Sequence, residues 1–333
     1  MKTLRIALLY NYKGHILLPE NAPEDALAEY DSEETIQGLE TALRSGGHEV
    51  IRLEGDESIL DTIRQVKPDI CFNICEGLRG DSRESHIPAL LEMLGIPYTA
   101  SKVLTQAISL DKVATKRLWR DSGLPIAPFQ VFTHAEQALD PRLTFPLFVK
   151  PSREGTGMGI NERSVVRDEA SLRSQVRWVL DTYSQPALVE SYLPGREFTV
   201  GLVGNALAPG EKPFSSFYND RGYHVFPVLE IDVRHLGGED QVYTSHIKSQ
   251  DPLAPKYLCP APIDSALATE LQDLAVRAFE AIGCLDVARV DIKLDAKGQP
   301  VLLENNTLPG LTPSYRDIVM AARAEGVSNQ ALG

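Results

Sequence analysis

The chain opens on an apolar run of strand length, LRIALLY, and then alternates between two spacings of apolar residues. HEVIRLE and DICFNI are further segments of strand length and apolar character, whereas Thr35, Leu39 and Leu43 recur every four residues in a stretch that stops at Gly46 and Gly47. The first spacing predicts strands and the second predicts helices packed on them. In alternation they predict a parallel, doubly wound sheet over the first third of the chain. A helix over 86–94 closed by Gly95, with IPYTAS as a last strand, completes that unit.

From about residue 109 the pattern changes. LDKVATKRLWRDSG predicts a helix ended by Gly123, and FPLFVKPSREGTGMGI predicts a strand running into a glycine-rich loop. A helix over 172–180 leads to PALVESYLPGREFTVGLVG, which reads as two strands joined by a short turn and hence as antiparallel sheet. SALATELQDLAVRAFEAIG predicts the last long helix, and ARVDIKLDAKGQPVLLENNTLPG predicts a strand pair turning at 295–298. Between 19 and 34, PENAPEDALAEYDSEE reads as a solvated acidic loop entering a helix capped by Asp31 or Ser32. The fold class is α/β, in part α+β, and 333 residues are enough for two or three packed units.

Charge and cysteine content narrow the function. With 46 acidic against 33 basic residues the formal charge is -13, and no basic cluster offsets it, which argues against nucleic-acid and membrane partners. The opening lacks the longer apolar core and small-residue cleavage site of a signal peptide, so a cytoplasmic location is expected. Cys71, Cys75, Cys259 and Cys284 are too scattered for a disulfide framework. Cys71 and Cys75 lie in an apolar run without a second pair at zinc spacing, and they read as packed thiols.

Candidate chemistry gathers in two places. On the last strand pair, Glu304 and Asn306 point to one face and a hairpin brings Asp291 onto it. Three hard oxygen donors flanked by Val290, Ile292, Leu302 and Leu303 suit magnesium held jointly with nucleotide phosphates. Lys150 closes the run FPLFV, and the loop behind it offers backbone N–H groups and the Thr156 hydroxyl to phosphate oxygens. Gly155, Gly157 and Gly159 have neither Walker nor Rossmann spacing, so the loop by itself reads better as a structural turn.

Taken together and in order, GIPYTAS with LDKVATKRLW, FVKPSREGTGMG, VESYLPGREFTV, the segment from Lys248 to CPAP, RVDI and LENNTLPGLTP resemble the D-alanine–D-alanine ligases and their ATP-grasp relatives. The likeness covers most of the chain beyond residue 70. It implies a three-domain ATP-grasp architecture: a Rossmann-like unit over 1–105, a central subdomain over 106–186 carrying the glycine loop, and a C-terminal subdomain over 187–333 carrying the metal site. It implies that Lys112 and Lys150 hold ATP phosphates, that Glu190, Tyr192, Leu193 and Glu197 grip adenine and ribose, and that Glu154, Thr156 and Gly157 close over the phosphates. Lys248 matches a lysine on a mobile loop reaching the terminal phosphate, Arg289 and the backbone near Gly310 match oxyanion donors, and Asp291, Glu304 and Asn306 match a site for two Mg2+ (or Mn2+) ions. A homodimer is implied as well.

Departures from the family pattern fall on substrate recognition. The glycine- and serine-rich opening is replaced by LLYNYKGHILLPENAPEDALAEYDSEE, a His-Gly pair by Glu76-Gly77, and a Gly-Glu-Asp-Gly run by GDSRES. The carboxylate-binding serine is displaced, with Ser314, Tyr315 and Arg316 in its neighbourhood. Glu76 is a candidate for holding an ammonium group, and Arg79, Arg83 or Arg316 for a carboxylate, each weighed against a plain loop charge in solvent. The expectation is an ATP-dependent ligase joining a small carboxylate to an amine through an acyl phosphate, with an altered substrate. An authentic D-alanine–D-alanine ligase, an ATP-grasp kinase and a non-catalytic nucleotide-binding module are the rivals.

Overall fold

The computed structural model describes residues 2–18, 20, 22–236, 255–313, 316–328 and 331, so the candidates Lys248, Ser314 and Tyr315 lie outside the described residues. The first unit runs β1 (Arg5–Tyr10), α1 (Glu33–Ser45), β2 (Glu49–Glu54), α2 (Ile59–Val66), β3 (Ile70–Asn73) and α3 (His86–Leu94). Its three strands are parallel in the order β2-β1-β3. Successive residues of β1 face opposite layers: Ile6 and Leu8 pack with Ile36, Leu39 and Leu43 of α1, while Ala7 and Leu9 pack with Ile63 of α2 and Leu91 of α3. IPYTAS is not a full strand, because only Tyr98 bridges Cys71 at the edge of the sheet. Ser32 caps α1, its hydroxyl accepting from the Thr35 N–H.

Two helices, α4 (Val103–Leu110) and α5 (Lys112–Asp121), lead into the central sheet of β4 (Phe129–Phe132), β5 (Leu147–Pro151), β6 (Val165–Val166) and β7 (Ala187–Ser191), with α6 (Glu169–Tyr183) between β6 and β7. The order is β4-β7-β5-β6, all antiparallel, and α6 buries Leu172, Val176 and Val179 against it. The third unit holds β8 (Glu197–Gly204), β9 (Tyr223–Val225), β10 (Leu229–Asp232), β11 (Lys256–Leu258), α7 (Ser265–Ala281), β12 (Val287–Leu294), β13 (Pro300–Asn306) and α8 (Asp317–Ala324). Its antiparallel order is β11-β10-β8-β12-β13, with β9 on β8. Trp119 of α5 is buried with Phe198 and Phe279, so α5 packs on this sheet and not on the central one.

The two strands expected to form a hairpin at 187–204 do not pair with each other. β7 belongs to the central sheet and β8 to the C-terminal one, so the chain crosses between sheets at 192–196, past the 186/187 division expected from sequence. Gly195 makes the crossing possible: its N–H donates to the Leu294 carbonyl at 3.0 Å, and a Cβ there would stand 2.4 Å from that oxygen. The acidic stretch is not a solvated loop either, since Asp25 and Glu29 dock on the glycine loop as described below. Among the described residues no helix is long and apolar enough to cross a membrane.

Phe198 is fully buried in the largest core, on the strand that carries Glu197 and Thr199 to the cleft. Phe198→Ala is expected to lower the unfolding free energy by about 3–5 kcal/mol, as truncated core aromatics do, measured as a shift in the urea midpoint.

Candidate active site

Between the central and C-terminal sheets lies a cleft. Its walls include Phe148, Met158, Ile160, Tyr192, Leu193 and Leu303, and its charged floor includes Lys112, Lys150, Glu190, Glu197, Arg289, Asp291, Lys293 and Glu304. An apolar slot opening on a charged floor suits a flat base attached to phosphates.

The floor is built by register. β12 and β13 pair so that Asp291 faces Glu304 and Arg289 faces Asn306, with a bulge that leaves Leu303 extra between Leu302 and Glu304. Directly opposed residues share a face, so the hairpin presents all four side chains together. Arg289 donates to Asp291 at 2.8 Å and to Asp317, the first residue of α8, at 2.9 Å. Thr199 of β8 donates to Asp291 at 2.6 Å. Burial would discourage charge on Arg289, but the two aspartates outweigh it and keep the guanidinium protonated. Burial and the neighbouring Glu304 push Asp291 the other way, toward a raised pKa, against the pull of Arg289.

Lys112 reaches the same face from the first turn of α5. Asp111 caps that helix, accepting from the Val113 and Ala114 N–H groups at 3.0 and 2.9 Å, while its other oxygen takes the Arg153 guanidinium at 2.8 Å. A lysine at a helix N-terminus opposes the helix dipole, and here Glu304 at 2.9 Å compensates. Burial alone would raise the Glu304 pKa; Lys112 and Lys150 overcome it and hold it down at about 2. Behind them Glu190 binds Lys150 at 2.7 Å and Lys116 at 2.8 Å, all three withdrawn from solvent. Glu190 is likewise held down at about 2 against its burial by these two ammonium groups. Its carboxylate is therefore committed to lysines, whereas the resemblance assigned it to adenine and ribose. Glu197 pairs with Lys293 across β8 and β12 at 3.1 Å.

Asp291, Glu304 and Asn306 supply only hard oxygen donors, two carboxylates opposed across a ladder and an amide beside them, a set that fits magnesium. No group of three or more His, Cys, Asp or Glu side chains is gathered for a metal among the described residues.

A second space adjoins the floor. A small chamber is bordered by Arg289 and Asp317, shared with the cleft, and by Glu76, Thr156, Asn306, Gly310 and Arg316. It widens into an outer chamber that keeps Glu76, Thr156, Gly310 and Arg316 in its wall and adds Asp31 and Lys13. Glu76 and Arg316 therefore border the same chamber, beside the face of Asp291, Glu304 and Asn306. Thr156 belongs to this chamber, while Glu154 and Gly157 border the cleft. Arg79 is exposed on the outer surface. Arg83 is buried and engaged, donating to Glu29 at 2.6 Å, to Glu154 at 3.3 Å and to the Arg153 carbonyl at 3.0 Å. It holds the glycine loop and is not available to a substrate carboxylate.

Four participants escaped the sequence reading. Lys116 follows Lys112 by one helical turn, a spacing that shares a face and was visible in LDKVATK. Asp317 carried no signal apart from its place after Arg316. Asp25 and Glu29 accept the Gly159 and Gly155 N–H groups at 3.0 and 2.5 Å, and Tyr183 also donates to Asp25 at 3.0 Å. Contacts across more than a hundred residues leave no local trace.

Comparison with known proteins places these elements. A model of the family described as D-ala D-ala ligase C-terminus matches residues 118–332. An uncharacterised protein of Sinorhizobium fredii, y4sG, is 37% identical over 299 residues, 87% of this chain and 82% of its own. A D-alanine–D-alanine ligase of Bordetella petrii is 33% identical over 298 residues, 89% of this chain and 83% of its own. The crystal structure of the Bacillus anthracis D-alanine–D-alanine ligase complexed with ATP shares the fold, with a TM-score of 0.72 at 20% identity over 99% of this chain and 94% of that one.

Lys116→Met leaves the buried Glu190 with a single cation, and breaking a buried ion pair from one side is expected to cost about 3–5 kcal/mol. Adding Glu190→Gln should make the pair of changes cost less than their sum, because the orphaned charge is gone. Urea unfolding of both single variants and the double variant measures the cycle; strict additivity counts against the coupling. Glu190 has its pKa depressed in the folded state, so the stabilisation is complete above about pH 4.5 and is lost as pH falls toward 2.

Proposed function

The chain belongs to the D-alanine–D-alanine ligase family, and from that membership we propose that it is an ATP-dependent carboxylate–amine ligase working through an acyl phosphate. The observation that carries the reading is the shared wall: Arg289 and Asp317 border both the nucleotide cleft and the inner chamber, so one arginine faces phosphoryl transfer and acyl transfer alike. A kinase would need a second space for its acceptor as well, and it is family membership that favours acyl transfer.

In the first step a substrate carboxylate oxygen bonds to the terminal phosphorus of ATP as the bond to ADP breaks. Lys112 and Lys150 neutralise the charge gathered on the phosphates. Bound magnesium, held by Asp291, Glu304 and Asn306, would supply further charge neutralisation and orient the phosphates. In the second step the amine nitrogen bonds to the acyl carbon, phosphate leaves with the electron pair of the broken C–O bond, and the nitrogen gives up its proton. The oxyanion formed in between meets the Arg289 guanidinium and the backbone at Gly310. Gly310 packs so closely on Arg316 that a Cβ would stand 2.8 Å from its Cδ, so the backbone approaches the chamber bare of any side chain. Water has to be kept from the acyl phosphate, and the glycine loop, tied down by Glu29, Asp25 and Arg83, is the natural cover.

Phe148, Tyr192 and Leu193 are the proposed base and ribose contacts, with Glu197. Lys248, Ser314 and Tyr315 keep the roles that the resemblance implies. The departures at Glu76 and in the acidic segment support a substrate other than two D-alanines. A cytoplasmic homodimer acting on small molecules, with no nucleic-acid or membrane partner, is the setting that family membership and a charge of -13 support.

The test is ADP release with magnesium across a panel of D and L amino acids, single and paired, with mass spectrometry of the products. A condensed product one water lighter than its two parents is the expected result; ADP with a phosphorylated product alone would establish the kinase. Asp291→Asn and Glu304→Gln are each expected to cut ADP release by about a hundredfold or more, since each removes a charge worth several kcal/mol to phosphoryl transfer, while circular dichroism stays unchanged. Turnover retained in both variants would remove the metal assignment.

A further inference from the structure

The glycine loop has two sides. Gly157, Met158 and Ile160 line the cleft, whereas the Gly159 N–H among them donates outside it, to Asp25 Oδ2 at 3.0 Å. The Tyr183 hydroxyl stands 3.0 and 3.1 Å from the two oxygens of the same carboxylate. Three parts of the fold therefore meet at one side chain. Asp25 belongs to the acidic segment between β1 and α1, Gly159 to the loop, and Tyr183 is the last residue of α6. The Tyr183 ring is set edge-on to Trp178 of the same helix, with centroids 5.6 Å apart. Burial, and after it the charge on Asp25, raises the phenol pKa, so the hydroxyl keeps its proton and remains the donor. Gly159 has φ +72°, and a Cβ there would stand 2.3 Å from Pro151 Cγ, so the loop end lies hard against the strand residue that follows Lys150.

Every described residue lining the cleft lies at or beyond Lys112, so Asp25 acts on the cleft only through the loop. A carboxylate that accepts both a backbone N–H and a hydroxyl makes charge-assisted bonds, which are stronger than neutral ones. Taking the ligase reading as given, we infer that Asp25 and Tyr183 are positioning residues for the nucleotide, clasping the back of the glycine loop so that the N-terminal unit sets how firmly the central subdomain closes on ATP. Neither residue touches the nucleotide. Their contribution is to hold the loop ordered before ATP arrives, which lowers the ordering cost that binding would otherwise carry. The clasp is separate from the hold at the other end of the loop, where Glu29 takes the Gly155 N–H and Arg83 takes Glu154.

Hydrogen exchange read by mass spectrometry over 153–160, beside calorimetric titration of the full chain with magnesium and the β,γ-imido analogue of ATP, tests this. Asp25→Ala is expected to speed exchange in the loop about tenfold or more and to weaken the analogue about tenfold, the size of one charge-assisted hydrogen bond. Tyr183→Phe removes only the hydroxyl and should move both readouts the same way by about threefold; it also serves if Asp25→Ala unfolds. Glu24→Ala takes an exposed carboxylate from the same segment and is expected to leave both readouts at the wild-type value. Exchange in β5 and β7 should stay as it is in all three variants, because a role in stability alone would raise exchange throughout the chain. The inference is overturned by a loop that exchanges no faster in Asp25→Ala and Tyr183→Phe, by faster loop exchange with the analogue bound as tightly as before, by exchange rising evenly along the chain, or by an equal effect of Glu24→Ala. An analogue that fails to bind the wild-type chain would sink the ligase reading, while faster exchange confined to 153–160 would leave the clasp standing.

Discussion

The cleft depends on Glu190 being held between Lys116 and Lys150. Three charges are taken out of water at the place where α5, β5 and β7 meet, and none of them is tolerable there alone. As a set they leave one net positive charge, and its outward member, Lys150, stands at the end of β5 where the glycine loop begins. The same triad joins the two halves of the fold. Lys116 rides on a helix packed against the C-terminal sheet, while Glu190 and Lys150 belong to the central one, and Lys116 also donates to the Leu302 carbonyl at 3.3 Å. Positioning the Lys150 ammonium in the cleft and fixing the sheet-to-sheet geometry are thus one interaction.

Charge balance explains the hairpin as well. Each acid on the β12–β13 face already has a cation: Lys112 for Glu304, and Arg289 for Asp291. With each acid paired in this way, no buried charge on the face is left bare. Arg289 has a further partner in Asp317, which anchors it in the shared wall.

Much of this was legible in the chain. Strand spacing in LRIALLY and helical spacing in 35–43 specify the parallel unit, because alternation of buried faces is a local property. The face shared by Asp291, Glu304 and Asn306 followed from a two-residue spacing, Glu304 to Asn306, and from a hairpin whose turn sits at 295–298 as read. The failures have a common cause. β7 and β8 carry the same apolar signature whether they pair with each other or with strands far away, and the choice was made by Gly195 against Leu294, a contact no local pattern records. Tyr98 made a single bridge in place of a strand for the same reason: edge pairing is decided by what lies beside it.

The acidic segment is the sharpest case, because its composition argued for water and its placement is the opposite. Within residues 22–31, Asp25 and Glu29 hold backbone N–H groups of the glycine loop, and Glu29 also holds Arg83, which turns part of a repulsive run into a strut of the loop. A carboxylate at the Gly155 N–H binds the segment to the glycine loop itself. Segment, loop and chamber therefore form one wall. Glu29 takes part in both, accepting the Gly155 N–H and bordering the outer chamber.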